Sequence, residues 1–456
     1  MGLQAPVHHR AARRVRHPAQ GPRHLGHRPY PVIAGRYTSH VSGTQPPPTP
    51  PQMKAYKVIV AGAGPAGSTT AYECARRGLP VLLLDRAAFP RDKPCGGGVT
   101  IRAAKLLPFD IAPVVERTIS GMNISWRQTQ DFDRTYDGAI TYLTQRRRLD
   151  AFLVEKAVEA GAVFAQHAPV KELRRAGNAT EVLAGGVWYR GDSIVAADGA
   201  NGVTAKLAGI ETRLNNGIAL EGNFTPGGGV PHKWHEAIDF DIGDVPGGYG
   251  WVFPKGDHLN VGVGGWRMAG PTLRRRLDRL ARSQGFDPGA IWGLRGHLLP
   301  VRTRASRLVN RNALVVGDAA GLLDPLTGEG IYAAIHSGQA AARHLEAYLS
   351  GAAADLSGYE RDLRRGLLPE LETGKTLHRL FHLAPRLFVR LERTSPTAWR
   401  AVCMILRGER SYLDIRRRLG PAWPLAVATS TLLYPTVAAR SLARGLTARR
   451  RTKSAA

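Results

Sequence analysis

The chain has 456 residues, 43 % hydrophobic and 22 % charged, a globular composition that excludes a mainly disordered or fibrous protein and leaves room for more than one domain. Its formal charge is +27, but the excess lies at the ends: residues 1–52 carry seven arginines and no acid, and residues 361–456 carry 20 basic against 6 acidic side chains. The body is only mildly basic, so no nucleic-acid partner is expected, and the C-terminal excess is expected to face something acidic such as phospholipid head groups or a diphosphate.

Residues 1–52 are rich in Pro, His and Arg, lack apolar periodicity and end in a proline tract, so they are expected to form a disordered extension. They lack the apolar core of a signal peptide, and Met53 is expected to open the folded chain. The pattern then changes. The β-branched run 56–61 reads as a buried strand, 65–77 as a helix closed by Gly78, and 80–85 as a second buried strand. Between the first strand and the helix lies Gly62-Ala63-Gly64-Pro65-Ala66-Gly67, with Asp85 23 residues after Gly62. Gly62 permits the tight turn, Gly64 admits a pyrophosphate, Gly67 lets helix and strand pack closely, and the helix N-terminus attracts the anion. Asp85 is placed to accept from an adenosine ribose. Strand, helix and acid in register make this a dinucleotide site rather than a chance glycine turn.

Further on comes the cysteine-glycine loop Lys93-Pro94-Cys95-Gly96-Gly97-Gly98-Val99, then an arginine run at 146–148 opening an amphipathic helix to Ala160, and an apolar strand at 162–165. Strands at 192–197 and 313–317 each end in a Gly/Asp turn, at Asp198-Gly199 and Gly317-Asp318. The stretch 216–300 carries few helical signals and one hairpin pattern, 249–263, turning at Lys255-Gly256-Asp257, and is expected to be antiparallel. Residues 351–456 read as helical and basic. Within them 419–439 is uncharged but interrupted by Pro421, Pro424 and Pro435, so an interfacial or protein-packed helix is expected in preference to a membrane span. The three cysteines, Cys74, Cys95 and Cys403, are too scattered for a disulfide framework or a cysteine-held metal. No metal is expected, and a reducing, cytoplasmic setting is, peripheral to the inner face of a membrane.

These motifs together resemble the FAD-dependent reductase and monooxygenase superfamily of glutathione-reductase-like fold and, within it, the geranylgeranyl reductase family. The resemblance covers roughly residues 55–350, more faintly Ser411-Tyr412-Leu413-Asp414-Ile415. It implies an α/β protein: a Rossmann-like FAD-binding domain from 53–110, 145–215 and 301–350, an inserted antiparallel-sheet substrate domain from 111–144 and 216–300, and a helical region 351–456. By that resemblance Gly62, Gly64, Pro65, Ala66, Gly67, Asp85 and Arg86 serve the adenosine half of FAD, and Arg146 and Arg148 lie near its pyrophosphate. Gly317 and Asp318 meet the ribityl chain, Gly328 and Gly330 face the flavin ring, and Asp198 and Gly199 form a second, indirect fingerprint. Two features resemble the geranylgeranyl reductases in particular. Cys95, with Gly96 and Gly97, comes close to the isoalloxazine, and Tyr249-Gly250-Trp251-Val252-Phe253-Pro254 supplies Tyr249, Trp251, Phe253 and Pro254 to the substrate cavity. Taken alone, Cys95 reads as a small buried filler and the alternating aromatics as core.

The expected reaction is saturation of C=C bonds in a long isoprenoid chain. A hydride reaches one alkene carbon from reduced flavin and a proton reaches the other, so positioning supplies much of the rate. Cys95 is the first candidate proton donor or gate, Tyr249 the second and His336 the third. NADPH or a reduced ferredoxin-like carrier is expected as electron donor, although no second glycine fingerprint is present. The alternatives are an aromatic-ring monooxygenase using the same cofactor, against which the Cys95 glycine loop speaks, and a nonenzymatic basic protein, against which the near-neutral body speaks.

Overall fold

The computed structural model describes residues 53–453; the expected N-terminal extension lies outside them. Residues 58–61 and 81–84 are buried on both faces of the sheet, as continuous apolar runs at the centre of a parallel sheet must be. Five strands pair in parallel in the order Ala313–Val315, Val187–Ala196, Lys54–Ala61, Val81–Leu84, Val163–Ala165. Ala179–Ala184 and Val170–Ala176 extend one side as an antiparallel ribbon. The helix Pro65–Arg76 starts with Pro65 in its first turn, where a missing N–H costs nothing. Against it lies the alanine-rich helix Ile331–Leu349, in which a Cβ on Gly338 would come within 2.7 Å of the Ala66 carbonyl oxygen. Only a glycine lets these two helices approach so closely.

The second sheet has seven strands in the order Trp292–Arg302, Leu214–Phe224, Leu259–Trp266, Tyr249–Pro254, Ala237–Ile242, Gly121–Trp126, Gln130–Thr135. It departs from the antiparallel expectation at one place, since Ala237–Ile242 pairs with Gly121–Trp126 in parallel. The two strands reach the sheet from distant stretches of chain, so no hairpin turn dictates their direction. The expected hairpin forms between Tyr249–Pro254 and Leu259–Trp266. Its strands alternate cleanly: Val252, Val261 and Val263 face a core closed by Leu273, Leu277 and Leu280, while Tyr249, Trp251 and Phe253 point the other way.

Those leucines belong to the helix Leu273–Ser283, which corrects the reading of 216–300 as nearly helix-free. Leu273, Leu277, Leu280 and Ala281 recur at helical spacing and are buried, but the arginines between them mask the stripe. A third, three-stranded sheet joins Gly98–Thr100, Thr141–Leu143 and Arg117–Ile119.

The C-terminal region is helical as expected, with the helices Ser357–Arg365, Leu367–Leu383, Pro385–Thr394, Pro396–Leu406, Tyr412–Leu419 and Ala422–Lys453. The prolines expected to interrupt 419–439 do not. Pro421 precedes the last helix, Pro424 falls in its first turn, and only Pro435 is interior. This helix packs on Leu367–Leu383 and on the 266 end of the second sheet, where the Trp266 indole donates to the Tyr434 hydroxyl at 2.6 Å. No helix among the described residues is long and apolar enough to cross a membrane.

Candidate functional site

A single cavity of about 1220 Å³ runs between the two large sheets and is closed on one side by the C-terminal helices. Its first end is the turn after Lys54–Ala61. Gly62 adopts φ +106°, and a Cβ there would lie 2.4 Å from the Ala197 carbonyl oxygen; a Cβ on Gly67 would lie 1.8 Å from the Gly62 carbonyl oxygen. Gly64 differs. Its backbone is extended, and a Cβ would meet only Arg91 Nη2 at 3.7 Å and Arg146 Nη2 at 3.9 Å. Gly62 and Gly67 therefore serve the turn itself, and Gly64 leaves open space between two guanidinium groups at a helix N-terminus, a cradle for a pyrophosphate. Asp85 lines the cavity, its Oδ2 accepting from the Ala63 N–H at 2.8 Å and its Oδ1 from the Ala87 N–H at 2.9 Å. It ties the glycine turn to the end of the next strand while facing the place expected for the ribose.

The arginine assignment is half corrected. Arg146 is buried, bonds Asp150 with both Nε and Nη2, and stands beside Gly64. Arg148 points away, pairing with Glu116 at 3.0 Å at the surface, outside the cavity lining. The second guanidinium at Gly64 is Arg91, 3.1 Å from Asp150. Nothing in the spacing of Arg91 marks it in the sequence; the shared carboxylate of Asp150 brings the two together. Arg86, Asp198 and Gly199 line the same end. Asp198 Oδ2 caps the turn at 203–204 by accepting both N–H groups and the Thr204 hydroxyl, which suits an indirect role, whereas its buried Oδ1 has no partner.

Midway, Cys95, Gly96 and Gly97 lie against the aromatic strand. A Cβ on Gly96 would come 2.7 Å from the Phe253 ring and 3.4 Å from Trp251 Nε1, so the glycine allows direct seating. The loop is held from two sides. The Cys95 N–H donates to Glu221 Oε1 at 2.6 Å, and the Lys255 ammonium donates to the carbonyls of Gly96 and of Thr144, the latter at 3.1 Å. Burial pushes the Glu221 carboxyl up from its usual range and brings Lys255 down to about 8. Lys255, expected in an ordinary turn, is thus a buried cation serving the cysteine loop. Trp251 lies flat over Gly262, where a Cβ would be 2.0 Å from its ring, and its indole N–H donates to Asn260 at 2.8 Å. Tyr249 packs edge-on to Phe240 and donates its hydroxyl to the Thr327 carbonyl; burial keeps the phenol protonated. Pro254 ends the strand outside the cavity lining, and His336 lies outside it as well, so the structure withdraws Pro254 from the substrate wall and His336 from the candidate proton donors.

Asp318 and the turn 323–330 complete this middle section. Lys93 sits 3.3 Å from Asp318; burial alone would raise the Asp318 carboxyl, and Lys93 holds it below its usual value. His297 faces the same group with a buried, unpartnered Nε2, and burial lowers it to about 4. Gly317 takes φ +57° beneath Asp318 but does not reach the cavity, Gly328 takes φ +71° against the Tyr249 hydroxyl, and a Cβ on Gly330 would be 3.1 Å from Asp318 Oδ1. Arg102 locks the turn: its Nη2 reaches Glu329 at 2.7 Å and Asp324 at 3.3 Å, and its guanidinium stacks on Tyr332 at 4.5 Å. The Tyr412 hydroxyl adds 2.8 Å to Asp324, which connects the 411–415 segment to the site.

The far arm is apolar. Met122, Ile238, Phe240 and Ile242 line it from the sheet, and Phe381, Val402 and Leu406 from the C-terminal helices. Among the described residues no cluster of His, Cys, Asp or Glu could hold a metal.

A glycine turn with an open Gly64, flanked by two guanidiniums and leading to Asp318 through a cysteine loop, defines a flavoprotein of the Rossmann-like, FAD-binding class. Residues 55–227 match the family model described as an FAD binding domain. The chain is 33 % identical to digeranylgeranylglycerophospholipid reductase 1 of Methanopyrus kandleri, over 63 % of this chain and 79 % of that protein. It is 31 % identical to a menaquinone reductase of Mycolicibacterium smegmatis (66 % and 78 %) and to the chloroplastic geranylgeranyl diphosphate reductase of Oryza sativa (70 % and 72 %). The fold matches a geranylgeranyl bacteriochlorophyll reductase-like protein of Thermoplasma acidophilum with a TM-score of 0.62 at 22 % identity, over 72 % of this chain and 87 % of that one. A flavin-dependent brominase shares it with a TM-score of 0.64 at 20 % identity, over 78 % and 94 %. The protein belongs to the geranylgeranyl reductase family of FAD-dependent oxidoreductases.

The residues present suit FAD. Open space at Gly64, the Asp85 carboxylate in the cavity lining and the unpartnered atoms of Asp198 and His297 offer an anion cradle and polar groups along one wall. When bound and reduced, FAD supplies a hydride.

Proposed function

We propose that this protein saturates C=C bonds of a long isoprenoid chain lying in the apolar arm. The observation that carries this reading is the seating of Gly96, next to Cys95, directly on Trp251 and Phe253, inside the same cavity as the nucleotide turn. Such an alkene is scarcely polarised, so hydride to one carbon needs a proton donor held close to the other. Cys95 fills that role, placed by Glu221 and Lys255. Tyr249 stays protonated and bound to Thr327, a fixed wall that keeps the chain in line. The aromatic strand and the C-terminal helices give the chain its apolar walls. NADPH or a ferredoxin-like carrier reduces the flavin.

The substrate is delivered at a membrane surface. Leu387, Leu425 and Leu432 are 64 %, 69 % and 74 % exposed on the C-terminal helices, beside exposed Arg386, Arg390 and Arg417, a combination suited to an anionic lipid surface at the inner face of a membrane.

The test is anaerobic. The flavin of the purified protein is reduced with dithionite, geranylgeranylated lipids are added, and the flavin spectrum is followed beside product mass. Reoxidation with a gain of about two hydrogens per double bond supports the reading. A flavin that stays reduced with every lipid, yet reoxidises with oxygen while an aromatic compound is hydroxylated, replaces it with the monooxygenase.

A further inference from the structure

Beyond the apolar arm, one lobe of the cavity is built differently. Lys375, His378, Arg379 and His382 succeed one another at i, i+3, i+4 and i+7 on the helix Leu367–Leu383, and all four line the cavity. Such spacing puts them on one helix face. Opposite stand Trp266, Arg267 and Tyr434, also in the lining. The residues that these three elements contribute include no carboxylate. The two acids nearest Lys375 on its own helix are engaged elsewhere: Glu370 accepts from the backbone N–H groups of Tyr412 and Leu413, and Glu372 faces Arg304 at 3.9 Å. Lys375 has no ion-pair partner among the described residues. Arg379 is held by Thr431 at 3.3 Å and lies over the Tyr434 ring at 5.9 Å.

The histidines are anchored. Trp266 donates to the Tyr434 hydroxyl, which lies 3.5 Å from His378 Nδ1, and His378 Nε2 lies 3.2 Å from the Gly247 carbonyl oxygen. With Nε2 donating to that carbonyl, Nδ1 is an acceptor for Tyr434, so this ring is spent on order. His382 stacks edge-on at 4.4 Å. Lys375 and Arg379, without an ion-pair partner among the described residues and on a wall made rigid by this network, face Arg267 across the lobe and form a pocket for an anion in the same cavity as the apolar arm.

We propose that Lys375 and Arg379 bind the phosphate or diphosphate group of the prenyl substrate, so that the substrate is a prenyl phosphoester. This rests on the prenyl-reductase reading and narrows it, placing neutral prenylated quinones and chlorins second. Two sources share the chemistry, a free prenyl diphosphate and a phospholipid carrying prenyl chains.

The experiment measures binding to the oxidised holoenzyme by calorimetry, without turnover. The ligands are geranylgeranyl diphosphate, a digeranylgeranyl glycerophospholipid in neutral detergent micelles, and geranylgeraniol, which keeps the tail and lacks the phosphate. The expected result is a preference of at least about tenfold for one phosphoester over the alcohol, the scale of a charge-assisted pair, competed by inorganic pyrophosphate. Tighter binding of the diphosphate identifies the free source and tighter binding of the phospholipid the lipid source. In Lys375→Met the preference should fall several-fold while flavin content stays normal, and Lys375→Arg should restore it. Equal affinity for alcohol and phosphoesters, or a preference untouched by both Lys375→Met and Arg379→Met, overturns the proposal. The pyrophosphate competition on the unaltered protein decides the matter if a variant does not fold. A protein with the expected preference that reduces no prenyl chain anaerobically would refute the reductase reading and keep this site; reduction without the preference would do the reverse.

Discussion

Gly64→Val separates folding from cofactor binding, because the three glycines of the turn do different work. At Gly64 the backbone is extended with φ −78°, and a Cβ meets nothing closer than the ends of the Arg91 and Arg146 side chains at 3.7 and 3.9 Å, so the apoprotein should fold with a stability change of about 1 kcal/mol or less. The space the valine fills is the gap between Arg91 and Arg146. Flavin at a hundred times its Kd stabilises the unaltered protein by about 2.7 kcal/mol through mass action; Gly64→Val should gain none of this. Gly67→Ala is the control. Its methyl would overlap the Gly62 carbonyl oxygen at 1.8 Å, rigid backbone that cannot yield, so the apoprotein itself should lose on the order of 1–3 kcal/mol. Urea denaturation with and without added FAD, beside the flavin to protein absorbance ratio, reads both effects. A Gly64→Val protein with normal flavin content would refute the assignment of this gap to the pyrophosphate.

Cys95→Ala should keep its flavin and lose most prenyl reduction in the anaerobic assay, and unchanged turnover would reduce Cys95 to packing. Arg102→Leu should cost about 3–5 kcal/mol, since it strands the buried carboxylates of Asp324 and Glu329; a denaturation midpoint close to that of the unaltered protein would contradict the role given to this ion pair. Burial lowers His378 to about 4 and places His382 well below its ordinary value. The unfolded chain then takes up protons that the folded one refuses, and stability falls as pH drops from about 6.5 towards 4. His378→Gln should flatten that acid limb relative to the unaltered protein, as followed by urea midpoints across the range, and parallel limbs would argue against a neutral, buried ring.

The features legible in sequence were those written in local spacing. The Gly62 turn, its flanking strands and Asp85 depend on neighbours within 23 residues, and the hairpin at 249–263 announces itself by alternation and a Gly-Asp turn. The helix Leu273–Ser283 is hidden because arginines crowd a narrow apolar stripe, and the prolines near 421–435 mislead because Pro421 stands before the helix and Pro424 in its first turn, where a proline breaks nothing, while the helix continues through Pro435. Arg91, Glu221, Lys255 and His297 carried no signal at all. Each gains its place from a contact across the fold, with the partner of Glu221 lying 126 residues away and that of Lys255 159 residues away. The basic face of Leu367–Leu383 stands between these cases. Its i, i+3, i+4, i+7 spacing is written in the chain, but an amphipathic basic helix reads equally as a solvated surface.

The sequence by itself determined the cofactor fold and the family, because a glycine turn between strand and helix constrains the backbone through residues adjacent in the chain. Tertiary structure alone decided which arginines flank Gly64, what holds Cys95, and that Lys375 and Arg379 face the same cavity as the nucleotide turn. Those depend on burial and on charges brought together from distant segments, and a side chain acquires its environment only when the sheets and the C-terminal helices close around it.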